Sequence, residues 1–577
     1  MRSDRWTSTP WVADSRRRSA SSGRVASSRA DSERGPRSKT GRPVNGRRRA
    51  PLPVTVAASV VGVLFAFPAL YLAWRTITND GDPLGLLGSA RTLEPLRRSV
   101  VLATLVAVST AVLGTALAWL TSRTDLPGRR LWRVLLPLPL AYPTFVGAAA
   151  FIRTLNPGGL ANDLMQVVGV DRMPELRGLF GAWLALTLFT YPYVYLPVAA
   201  RLRSLPGSLE ESARLLGDSG FATFRRIVLP QTASAISSGA LLVALYTISD
   251  FGAVQLMRYD TLTRAIWTTR LADQATSFAL SAILLVLAAV VVAGERLGSR
   301  RLAVRRPARS TTSRPLTIHL GRWRIAGLGL VVVTLALALL APAAALADWG
   351  ISGLVRDATG GRPLVIDASD VLGPAWNTVW VSVVSAAVAV VVVLPTAALM
   401  GRHRTRIGAA TGNVITSIFA MPGLLIALAV FFWTLRGGWA TEYLRGTIVV
   451  LVFAYVVRFG AQALGAAHVA VAAVPDRLHE SARVLGAGPL RRLATVDAPL
   501  VAPGLLAGGG LVLLSTMKEL PITLLVAPFE FPTLTTKVFQ SFEDAFVAEA
   551  GLLAMVLVFL SGILTWFLVV RRADHLD

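Results

Sequence analysis

The sequence predicts an all-α membrane protein of about twelve transmembrane helices, arranged as two parallel repeats of six. Three observations predict it. Of 577 residues, 53% are hydrophobic and 16% charged, with a mean hydropathy of +0.57, far from the balance of a soluble domain. Apolar runs of roughly 20 residues recur, each long enough to cross a hydrocarbon core about 30 Å thick. One charged segment, LEESARLLG from Leu209, returns as LHESARVLG from Leu478, 269 positions later.

Taken in order, the runs lie near 54–74, 99–121, 132–152, 180–200, 237–257, 277–294, 325–347, 377–400, 412–434, 446–464, 505–527 and 549–570. Each is expected to be helical, because hydrocarbon offers no partner to a free backbone group. Prolines interrupt the third and ninth runs at matching points, Pro143 in LAYPTFVGAAAF and Pro422 in FAMPGLLIALA. These are either simple kinks or breaks that free carbonyls and allow hinging beside a cavity. The expected organisation is a basic tail over 1–52, a first half over 53–298, a basic Pro- and Ser-containing linker over 299–323, and a second half over 324–577.

The net charge of +25 would suggest nucleic acid in a soluble protein, but its placement argues for a membrane. Residues 1–50 hold fourteen basic against four acidic residues, 296–324 hold nine arginines, and the loops 201–226 and 477–492 hold five and four. The alternating loops carry fewer. The positive-inside rule then puts both termini in the cytoplasm, with Arg97 and Arg98 as misfits on the outer side. The Arg/Ser-rich tail cannot build a core; it reads as a disordered extension, a binder of anionic headgroups, or the product of an upstream start. The first apolar run is long enough to span and reads as an anchor, not a cleaved signal. Without cysteine there is neither a disulfide nor a thiolate metal site.

The repeated segment sits between the fourth and fifth runs of each half. LPGSLEESARLLGDSGFATFRRIVLP faces VPDRLHESARVLGAGPLRRLATVDAP, so Pro206 meets Pro475, Glu211-Ser212-Ala213 meets Glu480-Ser481-Ala482, Gly217 meets Gly486 and Pro230 meets Pro499. A repeat of this length is one structural unit used twice. Leu209, Ala213 and Leu216 fall at i, i+4 and i+7, as do Leu478, Ala482 and Leu485, predicting a short helix with one apolar stripe. Glu211 and Glu480 are expected near the helix start, where the macrodipole favours an anion, and the glycines at a left-handed helix end. One such helix could simply lie among headgroups. Two at matched topological positions favour docking of a two-fold partner.

These residues resemble a known family. Glu211-Ser212-Ala213, Gly217, Ile227 and Leu229-Pro230 match the signature loop of the permease subunits of ATP-binding-cassette (ABC) importers. The second copy keeps Glu480-Ser481-Ala482 and Gly486, but has Val496 for the isoleucine and Ala498 before Pro499. The resemblance covers both halves and implies a fused permease of type I ABC importer architecture in a bacterial inner membrane. It implies that each loop is a coupling helix for one copy of an ATPase subunit, that an extracytoplasmic solute-binding protein delivers the cargo, and that no cofactor is held. Of the three lysines, Lys39, Lys518 and Lys537, none follows a glycine, so no G-K-[ST] phosphate loop is present and ATP is hydrolysed elsewhere.

Charges within the apolar runs mark a candidate pathway. Asp250 in the fifth run and Glu519 in the eleventh match across the same 269-residue offset, and Ser249 matches Lys518. Arg458 lies in the tenth run. The carboxylates either face a shared route or sit at early helix ends in water, and Lys518 and Glu519 could equally pair with other buried groups. KELPITLLVAPFEFPTLTTKVFQ and TYPYVYLPVAARL resemble the iron(III) branch of the importer permeases, whose relatives handle thiamine, polyamines and phosphonates. The five histidines, His319, His403, His468, His479 and His575, fall on or near the cytoplasmic side and form no ladder across the membrane. A secondary transporter, which would not need the paired loops, and a membrane-anchored scaffold using the tail are the readings from other classes.

Overall fold

Ten helices among the described residues are long and apolar enough to cross a membrane, and two sharply bent helix pairs make twelve if each pair is one span. The computed structural model describes residues 50–78, 88–157, 166, 175–303, 317–358, 367–436 and 438–570. The predicted basic tail up to residue 49, the linker over 304–316 and the closing residues 571–577 lie outside them.

In the first half the spanning helices are Leu52–Thr78, Ala90–Arg123, Gly178–Ser204, Phe224–Ser249 and Gln274–Gly294, the last continuing as a helix to Ala303. In the second they are Trp323–Val355, Ala368–His403, Ile448–Ala473, Pro489–Met517 and Val547–Leu568. Ala90–Arg123 packs on Pro192–Ser204 and Leu229–Ser249, as Ala368–Ala398 packs on Ile448–Ala473 and Ala498–Met517. The first helix of each half crosses over: Leu52–Thr78 packs on Arg406–Ile418, and Ala341–Ala358 packs on Thr144–Leu155. Both apolar cores therefore straddle the halves. One joins Leu102 and Phe151 to Trp349 and Leu553; the other joins Phe65 and Phe278 to Leu424 and Tyr455.

The third and ninth runs are neither straight spans nor simple kinks. Arg129–Ala141 meets Thr144–Leu155 at 99°, and Arg406–Ile418 meets Gly423–Thr434 at 100°. Proline explains the place. It disfavours helix at the residue before it and has no N–H to donate. Tyr142 is extended, with ψ 127°, and Pro143 and Pro422 become the N-caps of the helices that follow.

The fifth and eleventh runs also end earlier than predicted. Their helices stop at Ser249 and Met517, and short helices Gly252–Leu256 and Pro521–Val526 follow. Asp250 and Lys518 are the C-caps, so Asp250, Lys518 and Glu519 occupy breaks and not the interior of spanning helices. Both helices begin with one π-helical turn, Phe224–Val228 and Leu493–Asp497, at equivalent positions of the repeat.

Candidate functional site

Two places concentrate the predicted residues: the repeated loops, and a cavity where the broken helices meet.

Each repeated segment folds as a nine-residue helix, Gly207–Leu215 and Asp476–Val484, with a proline as N-cap. The acids of the first turn are Glu210 and Asp476, and Glu211 and Glu480 are each the fifth helical residue, just past the first turn where they were expected. Each helix ends in a Schellman motif. Gly217 and Gly486 take φ +91° and +77°, and Asp218 N–H and Ala487 N–H donate back to Ala213 O and Ala482 O at 3.0 and 2.9 Å. The serines fold back identically, Ser212 Oγ to Ser208 O at 2.8 Å and Ser481 Oγ to Arg477 O at 3.0 Å. Glu211, Ser212, Glu480 and Ser481 are exposed.

Of the predicted stripe, the Leu209 side chain lies outside the described residues, and Ala213 and Leu216 do not share one environment. Ala213 is buried against the body, whereas Leu215 and Leu216 project at 88% exposure each, and Val484 and Leu485 at 87% and 84%. Each loop thus offers a bare apolar pair beside its Glu-Ser.

Beneath the loops the two halves differ. Arg123 and Glu210 form a fully buried ion pair at 3.1 Å, and Arg123 Nη2 also donates to Leu205 O at 3.1 Å. Burial pushes the Glu210 carboxyl above the usual carboxylate range, against the opposing pull of Arg123 and Arg214. In the second half His479 stands where Glu210 does, and its Nε2 lies 3.3 Å from Asp497, which also meets Arg402 at 3.5 Å. Burial pushes His479 below its ordinary value; Arg402 acts in the same direction and Asp497 against it.

The cavity, about 100 Å³, is lined by Asp250, Glu519, Lys518 and Arg458 together with Thr144, Tyr246 and Gly423. It has room for a few water molecules. Asp250 Oδ2 accepts from Thr144 Oγ1 at 2.6 Å, and Oδ1 accepts from Ala253 N–H at 3.0 Å, which fixes the carboxylate against the Pro143 break. Glu519 lies over Gly423, where a Cβ would come within 2.5 Å of its Oε1. The offset of 279 that relates Pro143 to Pro422 also relates Thr144 to Gly423. One half places a short acid on a threonine and the other a longer acid on a glycine.

The two cations do not take these carboxylates as hydrogen-bond partners. Lys518 Nζ donates to Leu140 O at 2.7 Å, and Arg458 Nη1 donates to Phe419 O and Met421 O at 2.6 Å each. Together with Ser561 Oγ, which donates to Ala141 O at 2.6 Å, they cap carbonyls that the bends leave without helical partners. Both cations come from the second half, and Phe189 and Ser249 hold the corresponding places in the first. The structure therefore brings together all four pathway candidates and separates them from the eight loop residues.

The family described as binding-protein-dependent transport system inner membrane component matches residues 111–304 and 393–575. This chain belongs to that family. It is the permease component of an ABC importer, a multi-pass inner-membrane protein and not an enzyme. It is 29% identical over 521 residues to the Fe(3+)-transport system permease protein FbpB 2 of Haemophilus influenzae, covering 89% of this chain and 97% of that one. A probable molybdenum ABC transporter permease of Haloferax volcanii is 32% identical over 31% of this chain and 65% of its own. The sulfate permease CysW of Escherichia coli is 26% identical over 35% of this chain and 69% of its own. Among solved structures, a bacterial alginate ABC transporter in complex with a pentasaccharide-bound periplasmic protein has TM-score 0.36 and 18% identity, over 44% of this chain and 94% of that chain.

Thr144, Gly423, Glu210, Arg123 and Asp497 were not singled out from sequence. Thr144 and Gly423 each follow the proline of a break and could have been found by pairing the acids with the breaks. Arg123 and Glu210 are 87 positions apart and leave no local signal.

Proposed function

We propose that this permease passes ferric iron, delivered by an external binding protein, into the cytoplasm. The observation that carries this reading is one cavity holding two carboxylates while the neighbouring cations are bonded to backbone carbonyls. Oxygen donors suit a hard cation. Two carboxylates are too few to hold ferric ion tightly, so passage is brief and capture is external. The likeness to the Fe(3+)-transport permease over nearly the whole of both chains supports the same cargo. The relatives named for sulfate and molybdenum support a second reading, an oxyanion drawn by Lys518 and Arg458 after these release their carbonyls.

In this reading the halves 53–298 and 324–577, joined by the linker 299–323, form one pathway with both termini cytoplasmic. Two copies of a separate ATPase dock on the loops, using Glu211, Ser212, Ala213 and Gly217 on one and Glu480, Ser481, Ala482 and Gly486 on the other. The exposed Leu215–Leu216 and Val484–Leu485 pairs supply the apolar contact. Asp250 and Glu519 face the cargo, and Lys518 and Arg458 hold the breaks that must move. Uptake of radiolabelled ferric iron, sulfate and molybdate, measured in deletion and complemented strains, tests the cargo. A deficit in iron alone supports the proposal. Equal iron accumulation in both strains overturns it and leaves the importer architecture in place.

A further inference from the structure

We propose that the membrane-facing surface where Ala90–Arg123 ends is a binding site for an anionic glycerophospholipid. Two concavities meet there. The first is an apolar groove of about 640 Å³, walled by Val112, Thr115 and Trp119 on one side and by Phe224, Leu229 and Ile236 on the other. The second is a notch of about 470 Å³ containing Asp125, Gly128, Arg129 and Arg130. Ile318 lines the groove and its neighbour Thr317 lines the notch, so the two adjoin at the β-bridge between Thr124 and Ile318.

The order along the chain is that of a lipid. The groove belongs to an apolar spanning helix, and the notch begins just past its last residue, Arg123. At 1.5 Å per residue, Trp119 lies about 8 Å along the axis before Thr124. Tails fit the groove and a charged head fits the notch.

Two further features select the class. Arg129 and Arg130 are exposed and make no ion pair among the described residues, whereas Asp125 accepts from Leu320 N–H at 3.0 Å and meets His319 at 3.2 Å. Two arginines against one engaged aspartate leave the notch positive, and a basic recess at the membrane boundary suits a phosphate. The notch is preformed, because Trp132 Nε1 donates to Pro127 O at 2.6 Å and Gly128 holds φ +70°. A zwitterionic lipid offers the same tails and esters, but its own ammonium neutralises the phosphate the arginines would hold.

The test uses the full-length chain in detergent, with dioleoyl phosphatidylglycerol and dioleoyl phosphatidylcholine as probes, read by native mass spectrometry. The wild type is expected to retain phosphatidylglycerol in preference. The double variant Arg129→Ala/Arg130→Ala should bind it about thirtyfold more weakly, while Arg129→Lys/Arg130→Lys keeps most of the affinity. Brominated phosphatidylglycerol should quench tryptophan fluorescence beyond brominated phosphatidylcholine, and Trp119→Phe should remove that excess. Equal retention of the two lipids by the wild type, or an undiminished preference in the alanine variant, overturns the proposal.

Discussion

The two halves share a loop, a broken helix and an acid at the break, yet each solves the same local problem with different residues. The first seats its loop helix on a buried arginine–glutamate pair; the second uses a histidine and moves the acid eighteen residues on, to Asp497. The first fixes the acid at its break, Asp250, with Thr144; the second lets Glu519 lie on Gly423. The outward geometry of the loops is kept, while the machinery beneath them has diverged. A fused chain permits this, because each half folds against one fixed partner and need not match a copy of itself. It follows that equivalent substitutions should have unequal effects.

The largest inequality is expected at the loop seats. Removing one member of a buried ion pair leaves an uncompensated charge, at a cost on the order of 3–5 kcal/mol. Arg123→Ala or Glu210→Ala should therefore loosen the first loop severely, seen as lost hydrogen-exchange protection over 205–218, while His479→Gln loosens the second only slightly. The joint replacement Arg123→Met/Glu210→Leu should recover much of the loss, since an apolar pair needs no charge compensation. Equal loosening by Glu210→Ala and His479→Gln would mean the seats are equivalent after all.

The cavity should be unequal in a different sense. Gly423→Val drives a side chain into Glu519, and uptake should fall at least tenfold with the protein still in the membrane. Thr144→Val, which removes one hydrogen bond to Asp250, should be milder. Uptake assays on vesicles reconstituted with the ATPase compare the two. Asp250→Asn and Glu519→Gln should each lower uptake while ATPase binding persists, and normal transport in the double variant would remove both from the pathway.

How much of this was legible depends on the range over which each residue acts. The spans, the repeat and the loop helices are local patterns of apolar spacing, proline and glycine, and they were readable. The breaks were half readable: Pro143 and Pro422 located them, but a bend near 100° depends on Lys518, Arg458 and Ser561 arriving from distant helices to cap the freed carbonyls. The apolar spacing of the loop helix was less readable, because it grouped Ala213 with Leu216, whereas Ala213 and Glu210 are buried, Glu210 against Arg123, and Leu215 and Leu216 point out. A buried glutamate is unexpected until its arginine, 87 residues upstream, is known.

The helix ends should be the most nearly equal feature. Nothing lies within 4 Å of a Cβ added at Gly217 or Gly486, so the cost of a side chain there is backbone strain alone, on the order of 1–2 kcal/mol. Gly217→Val and Gly486→Val should weaken ATPase association to a similar degree, and Gly→Asn at either position should be tolerated better. A large difference between the two valine variants would show that the loops are not used alike.

The smallest effect is the one that sorts the halves by sign. Burial lowers the value of His479, with Arg402 and Arg492 acting the same way and Asp497 and Asp476 opposing. The folded state thus favours the neutral imidazole; its contribution to stability is full above the ordinary histidine value of about 6.5 and is lost as pH falls through the depressed one. Glu210 behaves oppositely. Its raised value favours the neutral carboxyl, a contribution full below the ordinary carboxylate range and lost as pH rises through the folded value. Acidification from pH 7.5 to 5.5 should therefore loosen 474–487 while leaving 205–218 unchanged or tighter, as followed by hydrogen exchange corrected for its intrinsic pH dependence. His479→Gln should abolish the response of the second loop without altering the first. If both loops loosen together on acidification, or if the glutamine variant still responds, then His479 is not the group that makes the second half the acid-sensitive one.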